Sequence, residues 1–179
     1  MLETLITSKT RIKILLKFFM NPNNTAHLRG LAEEFNESTN GVRVELNRLT
    51  KANLLTRVSE GRTIKYQANT NHSLFNDISS IVKKYIGIDT LIDVLLAKLG
   101  NVELALVIGD YARGIDSGII DLVLVGNVDR EYLQVLIDKT EELIDRKIRP
   151  LILTKEELEN LSDRLETDKA LVVWGIFNM

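Results

Sequence analysis

Ser38 to Asn53 reads STNGVRVELNRLTKAN, and the organisation of the whole chain follows from how this stretch folds. As a helix it carries Val42, Leu46 and Leu49 on one side at i, i+4, i+7 spacing, the pattern of a face buried against a core. Asn40, Arg43, Asn47 and Lys51 make a second stripe that is polar, cationic and without a carboxylate. Asn and Arg pair bidentately with adenine and guanine edges in a major groove, and Lys suits a phosphate. A helix face that merely meets water would also be polar, so the flanking sequence has to decide between the two.

Upstream, Ser8 or Thr7 can cap a first helix running to about Met20, with Ile12, Leu15, Leu16 and Phe19 on one face and Asn21-Pro22-Asn23-Asn24 as its stop. Thr25 is expected to cap a short helix with Leu28, Leu31, Ala32 and Phe35 at helical spacing. Asn36 suits a left-handed C-cap, Glu37 fills the turn and Ser38 caps the next helix, although Gly41 at N3 denies it a full capping box. Two short helices joined by so tight a turn form a helix-turn-helix. Downstream, LLTRVSEGRTIKYQA (54–68) reads as a β-hairpin turning at Glu60-Gly61, with Arg57, Arg62 and Lys65 near its tip.

The pattern L-A-x-x-L-x-x-S-x-x-x-V-x-x-x-L-x-x-L-x-x-x-x-L fits from Leu31 to Leu54, with Phe35 in place of the second Leu. It resembles the ArsR-like family of winged-helix transcriptional regulators. The resemblance implies double-stranded DNA as partner and a recognition helix over 38–52, presenting Ser38, Thr39, Asn40, Arg43, Asn47, Arg48 and Lys51. It also implies a backbone-contacting wing over 57–65, with Arg57, Arg62 and Lys65, and a homodimer. Metal-sensing members of that family use Cys and His clusters. This chain has no Cys and only His27 and His72, far apart in sequence, so no metal site is assigned.

Composition bounds the rest. At 179 residues the chain has room for two small domains. Without Cys there are no disulfides, thiolate metal sites or Cys nucleophiles, which fits a reducing cytoplasm. No apolar run reaches the length of a membrane span, and the N-terminus lacks the apolar core of a signal peptide. Charge divides unevenly: residues 1–86 hold 13 Lys and Arg against 7 Asp and Glu, and the remainder holds 10 against 18. A basic front and an acidic back suggest two domains with different partners, expected over 1–87 and 88–179.

In the second half, Ser73 is expected to cap a helix ending at Gly87, and Asp89 a helix with Leu91, Leu95, Leu96 and Leu99 inward. Val102–Ile108 and Ile120–Val125 are apolar, largely β-branched runs of the kind that form strands covered on both faces. Between them stands Gly109-Asp110-Tyr111-Ala112-Arg113-Gly114. An amphipathic helix over 132–144, a strand over 148–153 and a helix over 155–165 follow, the last opened by a Thr154/Glu157 capping box. Asp168–Phe177 reads as a final helix with Trp174 on its apolar side. Runs of both element types point to the α+β class: a winged helix-turn-helix domain followed by a small α/β sandwich.

The strand-turn-strand resembles the minimal nucleotidyltransferase domain of the DNA polymerase β superfamily, whose signature is G-S-x-A-R-G, a short spacer, then S-D-I-D-L. In that family the turn presents N–H groups and a hydroxyl to a triphosphate. Two Asp, one residue apart on a strand, share a side and hold Mg²⁺ for in-line transfer. Gly109, Ala112, Arg113, Gly114, Asp121 and Leu122 keep the signature. Asp110 replaces its Ser, Ile119 replaces the first metal-binding Asp, the spacer is short, and IRPLI (148–152) offers no third carboxylate. The resemblance therefore implies a vestigial nucleotide site at Gly109, Asp110, Arg113, Gly114 and Asp121, with no cofactor and no transferase activity. The leading expectation is a DNA-binding regulator whose second domain serves assembly or senses a nucleotide or small-molecule effector. The alternative is an active nucleotidyltransferase, an antitoxin-like modifier of a partner protein; a third is a winged helix that binds protein.

Overall fold

In the computed structural model, which describes residues 2–177, the chain divides into two units, Met1–Tyr85 and Ile86–Met179. The N-terminal unit begins with a short helix, α1 (Leu2–Leu5), followed by α2 (Lys9–Leu15). Ser8 caps α2, its Oγ accepting from the Arg11 N–H at 3.2 Å. The helix then widens into a π turn over Leu16–Met20. The extra residue in that turn shifts the helical phase, so Leu16 to Met20 are all buried where a regular helix would bury a single stripe. Lys17 is among them, and its Nζ meets Glu34 at 2.7 Å.

Thr25 does not cap a helix. Thr25–His27 is a strand, β1, paired antiparallel with β3 (Thr63–Ala68) in the register Thr25↔Gln67, Ala26↔Tyr66, His27↔Lys65. The outer edge of a hairpin offers unpaired N–H and C=O groups, and this short segment satisfies them. The next helix, α3 (Leu28–Phe35), therefore starts three residues after Thr25. Asn36 ends it in the left-handed conformation (φ 52°, ψ 49°), as the sequence suggests. Ser38 caps α4 (Thr39–Lys51), accepting from the Gly41 N–H at 3.0 Å. Val42, Leu46, Leu31 and Phe18 are fully buried between the helices.

Strand β2 (Leu55–Glu60) pairs with β3 so that Glu60 faces Thr63. That register puts the turn at Gly61-Arg62, one residue later than the sequence suggests, with Gly61 at φ 61°. A positive φ at the first central position suits a two-residue hairpin loop, and glycine adopts it without strain. The sheet order is β1-β3-β2. The following helix, α5 (Phe75–Ile86), starts two residues after Ser73. The His72 Nδ1 accepts from the Leu74 N–H at 3.1 Å, and the His72 C=O from Phe75 at 2.9 Å. Phe75 meets Phe19 at 5.7 Å between ring centroids, and Ser79 Oγ donates to the Phe19 carbonyl at 2.8 Å.

The C-terminal unit opens with a helical run in segments: α6 (Ile88–Thr90), a π stretch (Leu91–Leu96) and α7 (Ala97–Leu99). Gly87, not Asp89, holds the N-cap position, with φ 92° and its carbonyl accepting from Leu91 at 2.9 Å. Asp89 lies in the first turn, where its charge favours the helix N-terminus. Then come β4 (Val102–Ile108), one turn of helix α8 (Gly109–Ala112), β5 (Ile119–Gly126), α9 (Arg130–Ile144) capped by Asp129, and β6 (Lys147–Leu153). Helix α10 (Lys155–Leu165) carries the Thr154/Glu157 capping box in full.

The chain after α10 is not a helix. A 3-10 turn over Thr167–Lys169 leads into β7 (Leu171–Trp174), antiparallel to β4. Val172 and Val173 favour an extended backbone, and the open edge of β4 supplies partners for it. The Trp174 indole N–H donates to the Val102 carbonyl at 3.1 Å. The sheet order is β6-β5-β4-β7, with β5 and β6 parallel across α9 and the other pairs antiparallel. Leu104, Leu106, Val123, Val125 and Leu153 form one core with Leu158 of α10. The alternate residues Ala105, Val107, Leu122 and Leu124 are fully buried too, as covered strands require. Each unit mixes helices with a sheet, so the fold is α+β: a helix-turn-helix with a wing, then a small sandwich.

Candidate functional site

Helix α4 is amphipathic by construction. Val42, Leu46 and Leu49 face inward, which turns Asn40, Arg43, Asn47 and Lys51 outward, and all four of these are exposed. Arg43 and Lys51 have no ion pair among the described residues. Ser38 and Thr39 are exposed at the N-terminus, and Val44, 40% exposed, borders the stripe.

The helix does contain a carboxylate, Glu45, and the structure shows where it goes. Its side chain is only 7% exposed and is held from a different helix: Ser8 Oγ donates to Oε1 at 3.0 Å, and Arg11 Nε donates to Oε2 at 2.8 Å. Arg48 adds a third donor from α4 itself, Nη1 to Oε1 at 3.1 Å. Burial alone would raise the Glu45 pKa; the hydrogen bonds from Arg11 and Ser8 and the charges of Arg11 and Arg48 outweigh it and hold the carboxyl below its ordinary range. Of the residues expected to face DNA, Arg48 is thus engaged internally while still 62% exposed. The roles of Glu45 and Arg11 were missed from sequence; the i, i+3 spacing of Glu45 and Arg48 was the one signal available.

The wing brings its cations together less neatly than its sequence suggests. Arg57 opposes Tyr66 while Val58 opposes Lys65, so Arg57 and Lys65 point to opposite faces of the hairpin. Lys65 is tied to Glu60 at 3.1 Å, and Glu60 also lies 3.4 Å from His27 Nε2. Arg57 and Arg62 are exposed and without an ion pair among the described residues.

In the C-terminal unit the signature turn sits at the end of β4. Gly109 has φ 65°, a conformation that favours glycine, and a Cβ there would stand 3.0 Å from Asp121 Oδ2, so that carboxylate would have to give by a few tenths of an ångström. Gly114 also takes a positive φ, 78°. The turn is braced from behind: the buried Tyr111 hydroxyl donates to Asp116 and accepts from the Gly118 N–H at 3.1 Å, and Arg146 closes on Asp116 at 2.6 Å. Burial and the neighbouring Asp116 raise the Tyr111 pKa. For Asp116, burial would raise it, but Arg146 and Tyr111 more than compensate and keep it ionised.

The residues that remain do not fit a divalent cation. Asp121 is opposite Arg149 in the parallel register, and Arg149 Nε binds its Oδ1 at 2.5 Å. Ile119, which stands where the resembled signature has its first metal-binding Asp, is 44% exposed. Asp110 is paired with Arg113 at 2.8 Å, and Arg113 extends to Glu166 at 3.6 Å. No group of three or more His, Asp or Glu with metal-binding geometry occurs among the described residues. A cleft of about 320 Å³ beside the turn has Ile108, Asp121, Val123, Arg149 and Leu151 in its lining, so the Asp121–Arg149 pair borders this space. Sequence reasoning noted the missing carboxylates; it had no means of placing Arg149 against Asp121 without the strand register.

No family model matches the chain, and a search of curated proteins finds no match. Among solved structures, reduced HlyU from Vibrio cholerae shares 15% identity over 51% of this chain and 82% of its own, with a TM-score of 0.36. The Shewanella oneidensis tri-AMPylated HEPN toxin in complex with MNT antitoxin gives 13% identity over 50% of this chain and 71% of its own, at 0.38. The toxin–antitoxin MntA–HepT gives 13% over 50% and 71%, at 0.37. All three scores lie below 0.5, so the functional reading rests on the geometry of the two units.

Proposed function

We propose that the protein is a double-stranded-DNA-binding transcriptional regulator of ArsR-like type, with α4 in the major groove and the wing on the backbone. The observation that carries the proposal is the sorting of charge on α4. Its exposed stripe has no carboxylate, while its one carboxylate is drawn under the helix by Ser8 and Arg11. A face that only met water would have no reason to bury an acid. A face that meets phosphates would, because an exposed acid there would repel them. Arg43 and Asn47 suit base edges, Val44 suits a thymine methyl, and Lys51, Arg57 and Arg62 suit phosphates.

The C-terminal unit is a nucleotidyltransferase-like domain that does not transfer nucleotides and serves assembly or the sensing of a nucleotide or small molecule. The Asp121–Arg149 and Asp110–Arg113 pairs support this, since both acids at the turn are neutralised by arginines. Selection of bound sequences from random duplex DNA at stated salt tests the first part. Recovery of a reproducible motif supports the regulator. Failure to enrich any sequence, with no retardation of duplex DNA at low salt, overturns it.

A further inference from the structure

Glu45 has more donors than burial demands. Ser8 and Arg11, both on the α2 side, already fix its two oxygens at 3.0 and 2.8 Å. Arg48 folds back along α4 to reach the same carboxylate at 3.1 Å although its side chain is 62% exposed and free to extend into solvent. At 100° per residue Arg48 stands beside Val44 and Lys51, on the flank of the exposed stripe, where phosphates run alongside a helix seated in the groove. One carboxylate shared by two guanidiniums leaves a single net positive charge where there would be two.

Resting on the regulator reading of this unit, we propose that Glu45 is a specificity-determining residue that withholds Arg48 from random DNA and releases it only at a preferred site. Non-specific binding grows with the number of phosphates neutralised and nothing else. An arginine held by an internal carboxylate is subtracted from that number. Breaking the pair costs its hydrogen bond, and only a phosphate held at a fixed place beside Arg48 offsets that loss. Base contacts by Arg43 and Asn47 fix the register that holds such a phosphate; on random sequence the helix settles in no single register. The exchange of Arg48 from Glu45 to phosphate therefore happens at the preferred site alone.

The test compares Glu45→Gln, Arg48→Ala and the double variant on random duplex and on the selected site, each across a salt series. Glu45→Gln is expected to tighten random-duplex binding roughly five- to tenfold at about 0.1 M salt and to steepen its log–log salt slope by about 0.9, with a smaller gain at the selected site. Arg48→Ala is expected to leave the salt slope on random duplex in place and to weaken the selected site severalfold. Adding Arg48→Ala to Glu45→Gln should remove the gain. A merely structural tie would lower affinity for both duplexes alike and leave the salt slope in place. Arg48→Ala changes an exposed side chain, so it remains informative if Glu45→Gln fails to fold. The proposal is overturned if Arg48→Ala flattens the salt slope on random DNA by a full phosphate contact, or if Glu45→Gln shifts both duplexes equally. Duplex binding by the unmodified protein with either of those outcomes sinks this inference alone; absence of any duplex binding sinks the regulator reading itself.

Discussion

Arg43 and Arg62 are both exposed and both without an ion pair among the described residues, yet they are expected to fail differently when removed. Arg43 lies in the middle of the α4 stripe, so Arg43→Ala should cost about 1–3 kcal/mol at the preferred site and relax its sequence preference. Arg62 lies in the wing turn, so Arg62→Ala should weaken all sequences similarly and flatten the salt dependence. Titrations of specific and random duplex at several salt concentrations separate the two, and parallel behaviour of the variants would refute the division of roles. In the other unit, Tyr111→Phe removes the hydroxyl shared by Asp116, the Gly118 N–H and Arg146. Leaving those partners short of a bond should cost about 1–3 kcal/mol. Thermal unfolding reads the loss, and an unshifted transition would show that water replaces the hydroxyl.

Helix α4 is fastened to α2 by an acid, so its anchoring should depend on pH. The folded-state pKa of Glu45 lies below the ordinary value of 4.5. A depressed carboxyl contributes stability that is fully present above its unfolded pKa and is lost as pH falls through the folded pKa. The fastening should therefore be intact at neutral pH and weaken below about pH 4.5, and Glu45→Gln should abolish that part of the acid dependence. Amide exchange of α2 and α4 between neutral and acid pH measures it; equal acid sensitivity in the variant would assign the effect to other carboxylates. Strand β7 depends instead on its exit. Gly175 has φ 77°, and a Cβ there would lie 2.2 Å from the Glu103 carbonyl oxygen, a backbone atom that cannot move aside cheaply. Gly175→Ala should destabilise the β4–β7 pairing by about 2 kcal/mol or more, read as faster exchange of the β7 amides.

For the whole molecule, two outcomes are expected. One recognition helix reads too few base pairs for useful discrimination, so the regulator should be a homodimer. Helix α5 and the residue before it offer a surface: Phe75, Ser79 and Val82 turn inward toward Phe19 or the core, while Leu74, just ahead of the helix, and Ile81 within it remain 51% and 48% exposed. Sedimentation at micromolar concentration showing monomer alone, with and without DNA, would count against it. The second outcome concerns transfer. Two-metal phosphoryl transfer needs carboxylates free to hold Mg²⁺ against the phosphates. Labelled nucleoside triphosphates with Mg²⁺ or Mn²⁺ and candidate acceptors should give no labelled product. Turnover that disappears in Asp121→Ala would restore the alternative, an enzyme that modifies a partner protein.

The amino-acid sequence by itself determined what local periodicity and local capping can determine. The α4 face, the Asn36 helix end, the Ser38 and Thr154 caps and strands β4, β5 and β6 follow from spacing and side-chain chemistry within a few residues. The departures from the resembled signature, an acid at Asp110 in place of Ser and an apolar Ile119 in place of Asp, were equally legible, because residue identity is visible in one dimension. Tertiary structure decided wherever the partner lies far along the chain. Thr25–His27 and Leu171–Trp174 became strands because β3 and β4 had open edges, which local propensity does not record. Glu45 was buried by Ser8 and Arg11, more than thirty residues away, and Asp121 was neutralised by Arg149, 28 residues on, through strand register. Long-range pairing satisfies backbone groups and buried charges whose partners the neighbouring residues cannot supply, and for that reason the fold alone fixed them.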